Sequence, residues 1–183
     1  MRELKFHEKK LLKKVNFLAY KNEGNLRELK AMRRYHIGDR RDYVAYNRLV
    51  GLATKLTAIL RTLDPSSPFR IEMTDKLLTK LYDAGLVPVK RSLAQVDGLA
   101  ASALCRRRLA VVMVKLKMAE TVKEATTFVQ QGHVRVGPKV VTDPAYLVTR
   151  SNQDYVTWVD TSAIRRKVAT YNDQLDDLDL LPA

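Results

Sequence analysis

The sequence is poor in the residues that disulfide chemistry, metal binding and catalysis need. It has one cysteine and three histidines in 183 residues. A single cysteine excludes an intrachain disulfide and is typical of an intracellular protein. The histidines do not share metal-ligand spacing with Cys105, so we expect neither a metal site nor another cofactor. Cys105 falls on the apolar side of a predicted helix with Leu109 and Val112, which favours a core position over a nucleophile.

Long apolar runs and catalytic motifs are missing as well. The densest apolar run, LAVVMV at 109–114, is six residues long, far short of the ~20 that a membrane-spanning helix needs. The segment MRELKFHEKK has no apolar core of a secretory signal, so we expect a soluble protein that is not exported by that route and has no membrane partner. No phosphate loop, dinucleotide fingerprint or Ser/His/Asp set can be identified, so we do not expect an enzyme.

Positive charge is what the sequence has in excess. It has 33 Lys and Arg against 20 Asp and Glu, a net charge of +13. Residues 1–48 carry 14 basic and 6 acidic groups and residues 105–150 carry 9 and 3, whereas residues 151–183 carry 3 and 6. Two basic blocks favour a polyanionic partner, nucleic acid before an anionic membrane. The apolar fraction of 46% is sufficient for a folded core.

Helical periodicity dominates the first hundred residues. A basic amphipathic helix is predicted over 3–20, and further helices over 26–35, 40–63 and 69–84. The first of these is compatible with an RNA-binding arm, with a solvated helix packed on a core, and with a membrane-surface helix, although it lacks a Trp or a dense Phe/Leu wedge. The cations of this region are candidate secondary RNA contacts: Lys9, Lys10, Lys13, Lys14, Arg33 and Arg34.

Residues 105–150 predict two helices and a β-hairpin. A helix of about 103–117 precedes one that Thr121 caps, with Glu124 at the capping-box spacing and Gly132 at its end. The apolar period then changes from about four to two, which indicates strands.

The hairpin is predicted to follow Gly132. Its first strand is His133–Val136, and its turn is Gly137-Pro138-Lys139. Further strands are predicted at 146–148 and 155–159. Ser162 is expected to cap a last helix over 163–175.

Cations on this unit are the main candidate RNA contacts. They are Arg106, Arg107, Arg108, Lys115, Lys117, Lys123, His133, Arg135 and Lys139. On one continuous helix Arg108 and Lys115 share a side, about 10 Å apart along the axis, and Arg106 and Lys117 share the opposite side. Arginines at a helix N-terminus oppose the macrodipole, which indicates a role other than stability. The alternatives are a solubilising helix start and an ordinary hairpin with solvated polar residues.

The first of these helices has more apolar surface than one core face requires. Val111 and Val114 lie on the side opposite Leu109 and Val112. We therefore expect both valines to contact the N-terminal half or a partner protein.

These motifs resemble the RNA-binding domain of the ribosomal protein S4 family. The resemblance rests on the helix start RRRL, the second helix TVKEA and the segment QQGHVRVGPKVVTDPAYLV, with Gly137-Pro138 where many members have Asn-Gly. It implies an α+β fold, with a helical N-terminal half followed by an S4-type α-α-β RNA-binding module with a small antiparallel sheet. The expected regions are a basic helical N-terminal region at 1–101, the S4-type RNA-binding domain at 102–160, and a C-terminal helix with an acidic tail at 161–183.

A wider resemblance covers almost the whole chain. The segments KFHEKKLLKKVNFL, MRRYHI, ALCRRRL, KMAET and DYVTWVD resemble the S4-domain proteins of the eukaryotic U3 small nucleolar ribonucleoprotein. That resemblance implies a non-enzymatic protein of the nucleus and nucleolus that acts in the small-subunit processome. It implies binding to U3 RNA and pre-ribosomal RNA, whose pairing it promotes, and to an acidic M-phase phosphoprotein scaffold. The alternative is a structural S4-type protein of the mature small ribosomal subunit.

Overall fold

The computed structural model describes residues 2–14 and 26–174. Residues 15–20 of the first predicted helix and the acidic tail after residue 174 lie outside this range. Within the described ranges, no helix combines the length and the hydropathy that crossing a membrane requires. The same residues hold no cluster of three or more His, Cys, Asp or Glu side chains placed to bind a metal ion.

The N-terminal half is helical, as predicted. Its elements are α1 (Phe6–Lys14), α2 (Leu26–Arg34), α3 (Arg40–Thr62), α4 (Pro68–Asp83), α5 (Ala94–Asp97) and α6 (Ala101–Cys105). Helix α3 ends where Leu63 turns extended, just before Asp64-Pro65, and Pro68 lies in the first turn of α4. The predicted bounds of α2, α3 and α4 are confirmed to within one or two residues.

The C-terminal half contains two helices followed by a three-stranded sheet and a last helix. Its elements are α7 (Leu109–Lys115), α8 (Val122–Gln130), β1 (Val134–Val136), β2 (Lys139–Val140), β3 (Val156–Trp158) and α9 (Ala163–Tyr171). The sheet is antiparallel in the order β2-β1-β3, so β1 is central. The predicted α+β fold class is confirmed. The predicted strand at 146–148 is wrong, because Leu147 forms only a single bridge, to Arg108.

Three local capping predictions are confirmed. The Glu124 N–H donates to Thr121 Oγ1 and the Thr121 N–H donates to Glu124 Oε2, both at 3.3 Å, which is a complete capping box. Gly132 ends α8 at a φ of 77°. The Ser162 Oγ accepts from the Ile164 N–H at 3.2 Å and caps α9, which ends earlier than predicted, at Tyr171.

Two hydrophobic clusters meet at α7. The module core surrounds Leu109 and Met113, both fully buried, and each contributes about 1.5–3 kcal/mol of burial. The N-terminal core includes Tyr46, Leu104 and Cys105. Cys105 is a core residue, as predicted, and burial raises the pKa of its thiol. Helix α7 therefore lies between the two clusters and contacts both.

The expectation that α7 is apolar on two sides is confirmed in part. Val111 packs against the N-terminal core, as predicted, whereas Val114 packs against the module core. Helix α7 therefore joins the two halves through Val111.

Helical spacing is compatible with either Leu56 or Thr57 on the buried face of α3. Thr57 is fully buried and its hydroxyl donates to the Ala53 carbonyl at 3.0 Å, whereas Leu56 is 46% exposed. Helix α3 therefore carries an apolar side chain on a second, exposed face.

Candidate RNA-binding surface

The segment Arg106–Arg108 is a junction between two helices, not the start of one. Helix α6 ends at Cys105, and Arg108 is extended, with φ −62° and ψ 140°. The chain leaves the helix because it pairs with a distant segment. The Leu109 N–H donates to the Tyr146 carbonyl, and the Val148 N–H donates to the Arg107 carbonyl, both at 2.8 Å. The predicted continuous helix over 103–117 is wrong. The predicted placement of Arg108 with Lys115 on one helix side, and of Arg106 with Lys117 on the other, is therefore wrong as well.

Arg107 is buried and connects the arginine junction to residues 148–153 by hydrogen bonds. We call a buried arginine with this role a brace. The Arg107 side chain donates from Nε to the Val148 carbonyl at 2.8 Å, and from its two terminal nitrogens to Gln153 Oε1 and the Thr149 carbonyl at 2.9 Å each. Burial, with a smaller contribution from the nearby Arg150 charge, lowers its pKa below the ordinary value. All three nitrogens of the guanidinium are occupied by protein acceptors, which does not fit the predicted RNA contact.

Arg108 is the second buried brace, and it reaches into the N-terminal half. One terminal nitrogen donates to Asp42 Oδ2 at 2.8 Å and to the Tyr46 hydroxyl at 2.9 Å, both on α3. Burial works against the charge of Arg108, but the hydrogen bonds and charges of Asp42 and Tyr46 together outweigh it and raise its pKa. Of the three arginines in this junction, only Arg106 is exposed.

Replacing Arg108 with methionine is expected to lower the free energy of unfolding by about 3 kcal/mol, measured by urea denaturation. The reason is that Asp42 and Tyr46 lose a charged donor that is almost completely desolvated. The effect falls at the low end for a buried pair because the Asp42 side chain is 32% exposed. In a double-mutant cycle, Asp42→Ala should cost much less in the Arg108→Met background than alone. Additive effects would show that the pair contributes nothing.

Arg106 lines a basic cleft at the junction of the two halves. The cleft has a volume of about 550 Å³, and Lys115 from the end of α7 and Arg150 from the loop before β3 also line it. All three side chains are exposed, and Asp154 is the acidic residue in the lining. Because their counter-charge is small, the three cations create a positive potential suited to phosphate. We call Arg106, Lys115 and Arg150 the cleft cations.

The sequence prediction missed Arg150. Its backbone N–H donates to the Asp83 carbonyl at 2.8 Å, and its guanidinium lies 3.9 Å from the centre of the Tyr82 ring. The cation–π contact and the backbone anchor hold the side chain at the cleft with little freedom to lose on binding. The positive charge of Arg150 was the only sequence feature that indicated an RNA contact, because nothing in the residue spacing shows that residue 150 folds back onto α4.

Three further predicted cations are exposed along the chain between the end of α7 and the hairpin turn. Lys117, Lys123 and Lys139 are exposed as predicted. Lys117 has a φ of 61°, a left-handed conformation that costs a lysine stability. Gly137 also has a positive φ, of 60°, and shapes the turn next to Lys139. We call Lys117, Lys123 and Lys139 the loop cations.

The other two predicted hairpin contacts are already engaged with the C-terminal segment. Arg135 alternates outward between buried valines, as predicted, and its guanidinium pairs with Asp160 at 2.6 Å and donates to Thr157 Oγ1 at 3.1 Å. His133 is half-buried, and its Nδ1 lies 3.0 Å from the Ser162 Oγ. Both residues therefore help to fix α9 against the sheet, and RNA has to compete with Asp160 for Arg135.

The predicted secondary contacts of the N-terminal half lie on two separate helices. Lys9, Lys10 and Lys13 are exposed on α1, while Lys14 is the last residue of that helix. Arg33 and Arg34 are exposed in the last turn of α2, and Arg34 lies 5.7 Å from the centre of the Tyr35 ring. Their role in RNA binding stays a prediction.

Two family models together match residues 3–154 of the chain. Residues 3–106 match the ribosomal protein S4/S9 N-terminal domain, and residues 107–154 match the S4 domain. The two matches meet inside the arginine junction. With the helical N-terminal half, the three-stranded sheet and the basic cleft, they define the chain as an S4-domain protein.

Full-length relatives narrow the family. The chain is 52% identical to U3 small nucleolar ribonucleoprotein protein IMP3 of Homo sapiens and covers 98% of both sequences. It is 49% identical to the protein of the same name from Saccharomyces cerevisiae, again over 98% of both. Small ribosomal subunit protein uS4 of Picrophilus torridus is more distant, at 28% identity over 70% of this chain and 71% of its own. The chain therefore belongs to the IMP3 family of S4-domain proteins.

Proposed function

We propose that the protein is a non-enzymatic RNA-binding component of a U3 small nucleolar ribonucleoprotein. In this role it promotes the pairing of U3 RNA with pre-ribosomal RNA during processing of the small-subunit RNA, in the nucleolus. Identities of about 50% to full-length IMP3 proteins support the assembly, and the S4 domain supports RNA binding. The more distant match to uS4 makes a structural role in the mature ribosomal subunit the weaker alternative.

The observation that carries the proposal is the division of the exposed cations into two groups. The cleft cations lie at the junction of the two halves, and the loop cations lie between α7 and the hairpin turn. Lys115 on α7 and Lys123 on α8 belong to helices that share one core, so the two helices hold these cations at a fixed distance. Cations whose backbone positions are fixed bind phosphates without the cost of ordering a chain segment. Two such groups hold two RNA segments side by side, which raises the rate at which complementary bases meet.

The regions predicted from the sequence enter the proposal with separate roles. Residues 102–160 form the RNA-binding domain, residues 1–101 support it and add weaker RNA contacts, and residues 161–183 comprise the last helix and an acidic tail. An acidic M-phase phosphoprotein scaffold is the proposed protein partner, and its support is the resemblance to the U3 proteins.

Annealing of two labelled RNAs tests the proposal. A U3 RNA segment and its complementary pre-ribosomal segment should pair faster with the full chain present, as followed by energy transfer between fluorophores. Changing the three cleft cations to glutamine, or separately the three loop cations, should remove most of the acceleration while leaving some binding to single RNAs. A matched control changes Lys30, Lys55 and Lys80, which are exposed outside both groups. Full acceleration by both variants, or none by the wild type, would contradict the proposed function.

A further inference from the structure

Helix α3 exposes an apolar stripe beside the one it buries. Leu49, Leu52, Leu56 and Ile59 are 52%, 57%, 46% and 62% exposed. Their spacings of three, four and three residues place them on one side of the helix. The stripe adjoins the face on which Val50 and Leu60 are buried. From Leu49 to Ile59 it runs about 15 Å along the axis.

Helix α4 lies beside the C-terminal part of this stripe, from Leu56 onward, and the two helices enclose a groove. Leu56, Ile59 and Leu63 form one wall, and Phe69 and Met73 form the other. The groove has a volume of about 820 Å³, and Phe69 is 56% exposed. Exposed apolar patches that are continuous and concave mark interaction sites in soluble proteins more often than scattered apolar residues do. We call it the α3–α4 groove.

Positive charge borders the groove on both helices. Arg41, Arg48 and Lys55 follow one another at intervals of seven residues along α3, and all three are exposed. Because Arg48 precedes Leu52 by four residues and Lys55 precedes Ile59 by four, these cations border the stripe. On α4, Lys76, Lys80 and the acidic Asp75 line the groove itself, and Lys76 is paired with Glu72 at 2.5 Å, so the excess of positive charge comes from the α3 cations. The charge that remains favours an anionic occupant.

We propose that the α3–α4 groove binds an amphipathic helix of a partner protein, whose apolar stripe is bordered by aspartate and glutamate. A groove between two helices accepts a helix through side chains spaced by three and four residues. The leucine-rich floor provides the apolar contact and the flanking cations select acidic neighbours. RNA does not fit the floor, because its backbone would lose hydration against leucine and phenylalanine side chains. The inference is independent of the proposed RNA function, since the groove shares no residue with the cleft or loop cations.

A displayed peptide library tests the proposal with the full chain as bait. The peptides have leucine fixed at helical spacing and random residues at the remaining positions. Selection should enrich peptides in which Asp and Glu exceed Lys and Arg. Their affinity should fall about tenfold or more with Ile59→Gln, and also with the double change Lys55→Glu and Lys80→Glu. Selected peptides that are neutral or basic, or no enrichment at all, would overturn the proposal.

The chain offers a closely matched control for Ile59. Ile71 lies on α4 outside the groove and is 54% exposed, so Ile71→Gln removes the same side chain from a similar environment. It should change peptide affinity less than about twofold, and an effect equal to that of Ile59→Gln would overturn the assignment of the groove. The acidic tail of this chain, with Leu178 and Leu181, is the competing occupant. If peptides bind only after Leu178→Ser and Leu181→Ser, the tail occupies the groove and the partner assignment fails. RNA affinity should be unchanged in the Ile59→Gln variant.

Discussion

Replacing Arg107 with methionine is expected to lower the free energy of unfolding by about 3–4 kcal/mol. The loss is large because the Val148 and Thr149 carbonyls and Gln153 Oε1 all accept from one buried guanidinium. Hydrogen bonds to a charged group contribute about 1.5–3 kcal/mol each, and methionine replaces none of them, although it removes the cost of burying a charge and so offsets part of the sum. The measurement is urea denaturation followed by far-UV circular dichroism. Arg106→Met is the matched control, because Arg106 is the exposed neighbour, and it should change stability by less than about 0.5 kcal/mol.

Gly85 provides a second way to examine the same brace. It has a φ of 72°, and a Cβ at this position would lie 2.8 Å from the guanidinium carbon of Arg107. In Gly85→Ala the guanidinium therefore has to shift away from its carbonyl acceptors. The cost of Gly85→Ala should be smaller in the Arg107→Met background than in the wild type, since the shorter methionine side chain can move away from the new Cβ without losing hydrogen bonds. If Arg107→Met lost less than about 1 kcal/mol, or if the two changes were additive, the brace would not have the role assigned to it.

Local sequence signals were sufficient for most of the secondary structure. The capping box of Thr121 and Glu124, Gly132 after α8 and Ser162 before α9 each involve residues that are close in the chain. The same holds for the helix break at Asp64-Pro65, where proline restricts the residue before it. Such signals act over a few residues, so they can be read without knowledge of the tertiary fold.

The arginine junction could not be predicted in this way. Apolar periodicity continues from Cys105 through Leu109, which favours a single helix. The helix breaks because Leu109 pairs with Tyr146, a residue 37 positions later. The acceptors of Arg107 and Arg108 also come from distant segments, around residues 148–153 and on α3. A run of three arginines therefore indicated a charged surface, and only tertiary contacts could show that two of them are buried.

The exposed stripe on α3 escaped prediction for a related reason. A helical wheel shows that both Leu56 and Thr57 fit an apolar face, but it does not show which of two adjoining faces meets the core. Thr57 can be buried because its hydroxyl donates to the Ala53 carbonyl within the same helix. Leucine is the more apolar of the two, so hydrophobicity alone favours the wrong residue.

The arginines of the junction have two different roles, one in stability and one in the proposed RNA binding, and the second depends on the first. Arg107 and Arg108 fix the module to its loop and to α3, while Arg106 faces the cleft between them. The cleft cations come from three different segments, so their mutual positions depend on the two buried braces. For this reason the cleft has to be tested with changes that leave the braces intact.

Changing Arg106, Lys115 and Arg150 together to glutamine is expected to weaken binding to a U3 RNA segment about 100-fold at moderate salt. Each cation that neutralises a phosphate releases counterions, which contributes about 0.7 to the slope of log affinity against log salt for a single strand. Removing three such contacts should therefore reduce the magnitude of that slope by about 2. The measurement is fluorescence anisotropy of a labelled RNA at several salt concentrations. Arg106 and Lys115 are exposed, but Arg150 also lies on the Tyr82 ring and donates to the Val87 carbonyl, so the free energy of unfolding should fall by about 1–2 kcal/mol.

The salt slope distinguishes specific phosphate contacts from a general loss of charge. The control variant with glutamine at Lys30, Lys55 and Lys80 has the same net charge as the cleft variant, so long-range attraction falls equally in both. Its slope should stay close to the wild-type value, since those lysines lie outside both proposed RNA contact groups. Equal slopes for the two variants would mean that the cleft cations act only through net charge. A loss of affinity without a change of slope would show that the cleft does not bind phosphates, whatever else it contributes.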